Sequence, residues 1–288
     1  MNPYLINGPA LISFSGGRTS AFMLHEILKA HGGKLPDDVI VAFANTGKER
    51  EETLRFVYEC QTRWGVKVHW IEWRRGKPGF EEVGFNSASR NGEPFDALIA
   101  WKQRLPNSFE RWCTEFLKVK PMFALVKAIL GLVPGEFSET IGLRADEGLR
   151  IFRGMDAAQQ HGGRVAYPLS KAKVRKRDVF DFWWGKENLR EDGERPQGFD
   201  LELEPYEGNC DYCFQKGKGI RKRLIREGRS SPMWWANHEI SRNGWFDKRD
   251  TMSELIDQVR STPSFFDEYD DMEYDVECGS HCATEDAV

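Results

Sequence analysis

No stretch of the 288-residue chain supplies the ~20 consecutive apolar residues that a membrane-spanning helix needs. The opening Met1-Asn2-Pro3-Tyr4-Leu5 lacks the basic-then-apolar pattern of a secretory signal. These two absences argue against a membrane or exported protein and make the cytoplasm the expected location. Internal repeats and low-complexity segments are also missing. Lysine and arginine stop at Arg260, while nine acids follow it. That leaves 41 bases against 36 acids in residues 1–260, so a body of net charge +5 carries an acidic tail. Cysteine is scarce: Cys60, Cys113, Cys210, Cys213, Cys278 and Cys282. Without an export signal, six cysteines suit metal ligation, redox chemistry or core filling better than a disulfide framework.

What is present alternates between two periodicities. Ala10–Phe14, Val39–Ala44, Lys67–Trp73 and Glu139–Leu143 read as short buried strands. Ser20–Ala30, roughly 51–63 and Lys120–Leu130 read as helices between them. Strands separated by helices predict a parallel sheet with helices on both faces, a Rossmann-like α/β fold. Residues 185–205 read as a polar surface loop. Beyond it come a Cys-x-x-Cys pair, a basic helix near 216–227 and a Trp-rich helix near 232–242. The expected organisation is an α/β nucleotide-binding domain over 1–170, a mostly helical basic region over 171–262 and an acidic tail over 263–288.

Ser15-Gly16-Gly17-Arg18-Thr19-Ser20 falls between the first strand and the first helix. In a parallel sheet, ligands bind at the carboxyl ends of the strands. Two glycines let the backbone approach an anion, and a helix N-terminus offers free N–H groups and a favourable dipole. The same letters also suit a plain glycine turn with a hydroxyl cap. The second strand ends in Asn45-Thr46-Gly47-Lys48-Glu49, on the same rim of the sheet. Two polar, glycine-containing loops on one rim strengthen the case for a nucleotide pocket.

Taken with Arg111-Trp112-Cys113-Thr114, Leu117-Lys118-Val119-Lys120-Pro121, Ile141-Gly142-Leu143-Arg144-Ala145-Asp146-Glu147, Tyr167-Pro168-Leu169 and Cys210-Asp211-Tyr212-Cys213, these loops resemble one family. It is the adenine nucleotide alpha-hydrolase superfamily, and more narrowly its phosphoadenosine phosphosulfate (PAPS) reductase-like branch. The resemblance implies an enzyme whose first loop binds the phosphates of PAPS, adenosine phosphosulfate or ATP. It places Asn45, Thr46, Gly47, Glu49 and Gly142 by the nucleotide, with Lys118 and Arg144 as cationic partners of an anionic substrate. Pyrophosphatase members of the superfamily usually carry Asp where Thr19 stands, which leans the resemblance toward the reductases.

A Cys-x-x-Cys pair alone is compatible with zinc, an iron–sulfur cluster or a redox dithiol. By resemblance, Cys113 meets Cys210 and Cys213, and the three hold a [4Fe-4S] cluster, with zinc as the alternative metal. Trp112 stands where cluster-bearing reductases have a second cysteine, so one ligand is missing: the three cysteines either hold a cluster with an open iron, which resembles those of tRNA-thiolating enzymes, or take a fourth ligand from Cys278 or Cys282. Glu277-Cys278-Gly279-Ser280-His281 resembles the ending of sulfonucleotide reductases. That likeness implies Cys278 as nucleophile, His281 as its helper and a thioredoxin-like thiol as reductant. Cys60, beside Phe56 and Val57 on a helix, reads as core.

The basic runs Lys171–Arg177 and Lys216–Arg229 are compatible with a nucleic-acid backbone, a doubly anionic nucleotide or a solvated helix face. A second function class follows from the first of these: an ATP-dependent sulfurtransferase acting on tRNA or DNA. Trp234 and Trp235 are expected to pack their helix on the body.

Overall fold

The computed structural model describes residues 2–160, 162–186, 195–208 and 210–262. Cys278, His281 and Cys282, with the whole acidic tail, lie outside the described residues. Among the described residues no helix is long and apolar enough to cross a membrane.

The strands are β1 (Ala10–Ser13), β2 (Val39–Ala44), β3 (His69–Trp73), β4 (Phe80–Val83), β5 (Ser138–Ile141) and β6 (Arg164–Ala166). The helices in the α/β part are α1 (Arg18–Ala30), α2 (Glu51–Arg63), α3 (Glu93–Lys102), α4 (Trp112–Thr114), α5 (Lys120–Leu130), α6 (Gly148–Gln160), α7 (Pro168–Lys171) and α8 (Lys176–Trp184). Three more follow: α9 (Lys218–Glu227), α10 (Met233–Arg242) and α11 (Met252–Ser261). The expected elements form, with ends shifted by at most two residues. Beyond them stand the edge strand β4 and the short β6, whose few residues carry little periodic signal.

The sheet runs β4-β3-β2-β1-β5-β6, parallel except for β4, which pairs antiparallel with β3. Period-2 alternation sends side chains to two faces. Ile12, Phe14, Val41, Phe43 and Trp70 meet α1, α2 and α8 on one face. Leu11, Ile40, Ala42 and Ile71 meet Met122, Leu125 and Val126 of α5 on the other. Helices on both faces make this the expected α/β architecture. After β4 the chain crosses to the other side of β1, so the sheet order reverses between β1 and β5. That switch point opens a crevice at the carboxyl ends of those two strands.

Two parts differ from the sequence reading. The α/β core continues past residue 170, because Val179, Trp183, Phe199, Leu201 and Leu203 pack in the same cluster as β1 and α1. The second half of the expected surface loop is therefore interior. Its polar letters hid alternate apolar residues around a buried Asp200. Helices α9, α10 and α11 gather instead around a second apolar cluster containing Trp235, Phe246 and Leu255, which also takes in Phe95 and Leu98 of α3. Trp235 is buried there as expected, with Trp234 packed against its edge.

Between α4 and α5 the backbone widens into a π turn, Glu115–Val119. Pro121 has no N–H to give to the carbonyl of Leu117, four residues back, and the irregular turn lies immediately before it. It carries Lys118.

Candidate nucleotide and thiol site

The loop after β1 lies at the switch point. Gly16 has φ +78°, a left-handed conformation that glycine adopts without a Cβ penalty. A Cβ there would stand 2.7 Å from Thr53 Cγ2 and 3.0 Å from Val57 Cγ2, both on α2. Gly17 precedes α1 with no side chain capping the first turn. Ser15 Oγ and Ser20 Oγ lie 2.9 Å apart, and Ser20 Oγ donates to the Gly17 carbonyl at 3.0 Å. Gly142, just past β5, closes the other wall: a Cβ on it would meet Ser20 Cα at 3.1 Å. Between these walls is a cavity of about 20 Å³ lined by Ser13, Ser15, Ser20, Gly142, Leu143 and Arg150. Arg150 is itself paired with Glu147.

Arg18 and Arg144, both cationic in the sequence motifs, are drawn inward. Arg18 Nε and Nη2 bond the two carboxylate oxygens of Asp200 at 2.7 and 2.6 Å. Trp184 Nε1 adds a bond to Asp200 at 3.3 Å, and Trp183 Nε1 donates to the Arg18 carbonyl at 3.0 Å. Burial alone would raise the Asp200 carboxyl, but the Arg18 hydrogen bonds and charge outweigh it and hold it below the usual range. Arg144 is 2% exposed and donates from Nη1 to Thr19 Oγ1 at 3.2 Å and from Nε to Asp146 at 3.1 Å. It therefore lies beneath the β1–α1 loop and fixes Thr19, where the sequence reading had it facing an anionic substrate. Only the fold could bring Thr19 and Arg144 together, because they come from opposite sides of the switch point.

The loop after β2 is held by side chains at every position. Asn45 is fully buried; its Nδ2 donates to Glu72 at 2.7 Å and to the Ser89 carbonyl at 2.8 Å, and its Oδ1 accepts from Gly47 N at 3.1 Å. Gly47, at φ +79°, has Gly92 backbone atoms 3.0 Å from where a Cβ would be. Glu49 accepts from Thr46 N at 2.8 Å and from Thr46 Oγ1 at 2.9 Å. Burial raises the Glu49 carboxyl above its ordinary range, against the charge of Lys118 and the Thr46 hydrogen bonds.

This second loop meets the Cys-x-x-Cys segment. Glu49 and Cys210 form an isolated antiparallel bridge, and Thr46 Oγ1 lies 3.5 Å from Cys210 Sγ. Asp211 N donates to the Lys48 carbonyl at 2.9 Å, and Lys48 Nζ pairs with Asp211 at 3.2 Å. Trp235 Nε1 donates to the same carboxylate at 2.7 Å. Burial and the nearby Glu49 push the Cys210 thiol well up, with Lys118 pulling the other way. Lys118, Thr46, Glu49 and Cys210 therefore form one neighbourhood at the end of β2. The sequence reading set Lys118 and Asn45–Glu49 by the nucleotide and Cys210 with the other cysteines, so this grouping comes from the fold, with the π turn carrying Lys118.

Cys113 packs, partly buried, against the same apolar cluster as Cys210. None of the four described cysteines is disulfide-bonded. Among the described residues no three His, Cys, Asp or Glu side chains are grouped to hold a metal ion. The described cysteines thus do not by themselves complete a cluster or zinc site. Cys60 is core, as expected, and burial raises its thiol.

In the basic run after Cys213, open to a nucleic-acid, nucleotide or solvated-face reading, two members are interior. Lys216 is 3% exposed and donates to the carbonyls of Glu207, Cys210 and Asp211 at 3.2, 2.9 and 2.7 Å. Arg221 pairs with buried Asp247 at 2.7 Å. Neither shows a sequence signal separating it from its exposed neighbours, since the partner carbonyls are anonymous in sequence. Lys216→Met takes the Lys216 donor from the Glu207 and Asp211 carbonyls, while the Cys210 carbonyl still accepts from Cys213 N at 3.3 Å. At 1–3 kcal/mol for each unsatisfied group, with some relaxation, it should cost about 3 kcal/mol. That corresponds to a melting point lower by about 6 °C in a chain of this size, readable by calorimetry.

No family model matches the chain. It is 27% identical over 215 residues to the uncharacterized nin region protein ORF290 of Escherichia phage lambda, a match covering 72% of this chain and 66% of that protein. It is 31% identical over 117 residues to the uncharacterized protein MJ0066 of Methanocaldococcus jannaschii, covering 41% of this chain and 19% of that protein. The chain thus spans less than two thirds of either relative's length. Among solved structures it is similar to the U34-tRNA thiolase NcsA from Methanococcus maripaludis with its [4Fe-4S] cluster. That likeness has a TM-score of 0.37 and 12% identity, over 98% of this chain and 83% of the other.

Proposed function

We propose that the chain is an adenine-nucleotide enzyme of the PAPS reductase-like type, with thiol-dependent sulfonucleotide reduction as its reaction. The observation that carries this reading is the β1–α1 turn at the switch point, where Gly16 and Gly142 bring bare backbone to an uncapped helix N-terminus. The phosphates lie on this turn, and Lys118 supplies charge from the neighbouring rim.

The nucleophile in this reading is Cys278. Its thiolate attacks the sulfur of the sulfonucleotide, an S–S bond forms, and the bond from sulfur to the phosphate oxygen breaks. The nucleotide leaves as a phosphate, and the chain holds a thiosulfonate. An external dithiol then attacks Cys278 sulfur, releases sulfite, and departs as its own disulfide after a second thiol closes. His281, when protonated, favours the thiolate. The same reading keeps Cys113, Cys210 and Cys213 as sulfur ligands of a [4Fe-4S] cluster, or of zinc, with Cys282 as the candidate fourth ligand. Iron, sulfide and zinc analysis of anaerobically purified protein tests that part, and metal-free protein overturns it.

For the reaction itself, PAPS, adenosine phosphosulfate and ATP are to be compared as ligands and substrates with a dithiol reductant. The expected result is sulfite release from one sulfonucleotide. Cys278→Ser should abolish that release while nucleotide affinity stays within about twofold, a difference of ~0.4 kcal/mol. Turnover retained by Cys278→Ser removes this cysteine from the mechanism.

One observation favours a second reading, ATP-dependent thiolation of tRNA or DNA. The exposed Lys171, Lys173, Arg175 and Arg177 adjoin the rim of the crevice, where Ala145 N donates to the Val174 carbonyl at 2.8 Å. That reading predicts ATP-dependent AMP or pyrophosphate release and nucleic-acid binding that weakens steeply with salt. Absence of binding at low salt removes it.

A further inference from the structure

A cavity of about 510 Å³ opens at the amino-terminal ends of β2 and β3, the end of the sheet opposite the nucleotide crevice. Its size falls within the roughly 300–1,000 Å³ usual for small-molecule sites. The floor holds one polar group in a fixed orientation. His69, on β3, is 8% exposed, and its Nδ1 lies 2.8 Å from Glu82 Oε1. Glu82 stands opposite Ile71 on the antiparallel edge strand, so it shares a face with His69. A carboxylate only accepts, so Nδ1–H donates to it, and a neutral ring then carries its lone pair on Nε2. Burial, aided by the charge of Lys67, lowers the ring's affinity for a proton, with Glu82 acting the other way. Among the described residues Nε2 meets no protein donor.

The rest of the wall adds two kinds of contact. Leu35 and the half-exposed Ile129 present an apolar surface. Lys34 and Lys67 are exposed at the mouth and form no ion pair among the described residues. Asp37 and Glu82 also line the cavity, so the local charge is balanced and a polyanion such as a nucleotide is disfavoured. We infer that this cavity is a second small-molecule site for a monoanion with an apolar body and a hydroxyl or N–H donor. The anion pairs with Lys34 and Lys67, the body rests on Leu35 and Ile129, and the donor bonds His69 Nε2. The site is independent of the nucleotide reading, because it occupies the other end of the strands.

The test uses the full chain and 4-hydroxybenzoate as probe, followed by chemical-shift titration or calorimetry. Benzoate lacks the donor, and 4-hydroxybenzyl alcohol lacks the charge. The probe should bind at least about tenfold tighter than either control, a difference of ~1.4 kcal/mol. His69→Phe should erase its advantage over benzoate, and Lys34→Gln with Lys67→Gln should erase its advantage over the alcohol. The lysine pair is exposed, so it decides the matter even if His69→Phe fails to fold. No saturable binding, advantages that survive the substitutions, or displacement of the probe by ATP or PAPS would overturn the site. Loss of nucleotide binding by the crevice leaves this outcome untouched.

Discussion

Asp200→Ala is expected to lower stability by about 3–5 kcal/mol, because it strands the buried Arg18 guanidinium without its counter-charge. Arg18 and Asp200 side chains are 7% and 2% exposed, so solvent does little to screen the pair. The substitution also removes the acceptor for Trp184 Nε1. At roughly 2 °C per kcal/mol for a chain of this length, the melting point should fall by about 6–10 °C. A double replacement, Arg18→Met with Asp200→Leu, should recover most of the loss, since neither charge is then buried alone. If Asp200→Ala melts with the parent protein, the pair does not hold α1 to the 199–203 segment.

The same pair has a pH signature. Asp200's folded carboxyl is held below its unfolded value, so its stabilisation is present above the unfolded range near pH ~4 and is lost as pH falls through the folded value. The gap in melting point between parent and Asp200→Ala should therefore be full at neutral pH and shrink in acid. A gap that stays constant to low pH would assign the loss to packing alone.

Gly142→Val is expected to weaken nucleotide binding at least about tenfold, equal to ~1.4 kcal/mol. Even the first carbon of a new side chain would stand 3.1 Å from Ser20 Cα, a backbone atom that cannot rotate away. The branched methyls of valine would then enter the cavity shared by Ser15, Ser20 and Arg150. Gly142 carries no positive φ, so the substitution tests space at the crevice without adding backbone strain. Unchanged nucleotide affinity in a folded Gly142→Val protein would move the binding site away from the switch point. Gly16→Val is a poorer test, because its left-handed φ and its contacts with α2 would unsettle the fold as well.

The two substitutions bear on different kinds of knowledge. Gly142 stood out because it lies in an ordered series of motifs, at the expected strand end. Asp200 did not, because 182 positions separate it from Arg18 and its neighbourhood reads as a polar loop. Arg144 shows the same limit from the other side: its motif singled it out, yet residue type alone could not tell a substrate-facing guanidinium from one buried under Thr19. Lys216 was one base among many until three backbone carbonyls were seen around it.

By itself, the sequence determined the α/β alternation, the two glycine-bearing loops on one rim and the Cys-x-x-Cys segment. Each is a local pattern, set by side-chain period, by the φ freedom of glycine or by spacing over a few residues. The tertiary structure alone decided which charges face inward, that Lys118 and Cys210 share the end of β2, and that His69 and Glu82 share a cavity at the opposite end. Those outcomes depend on register, on strand order and on desolvation. All three bring together residues far apart in the chain and become visible only once the sheet has closed.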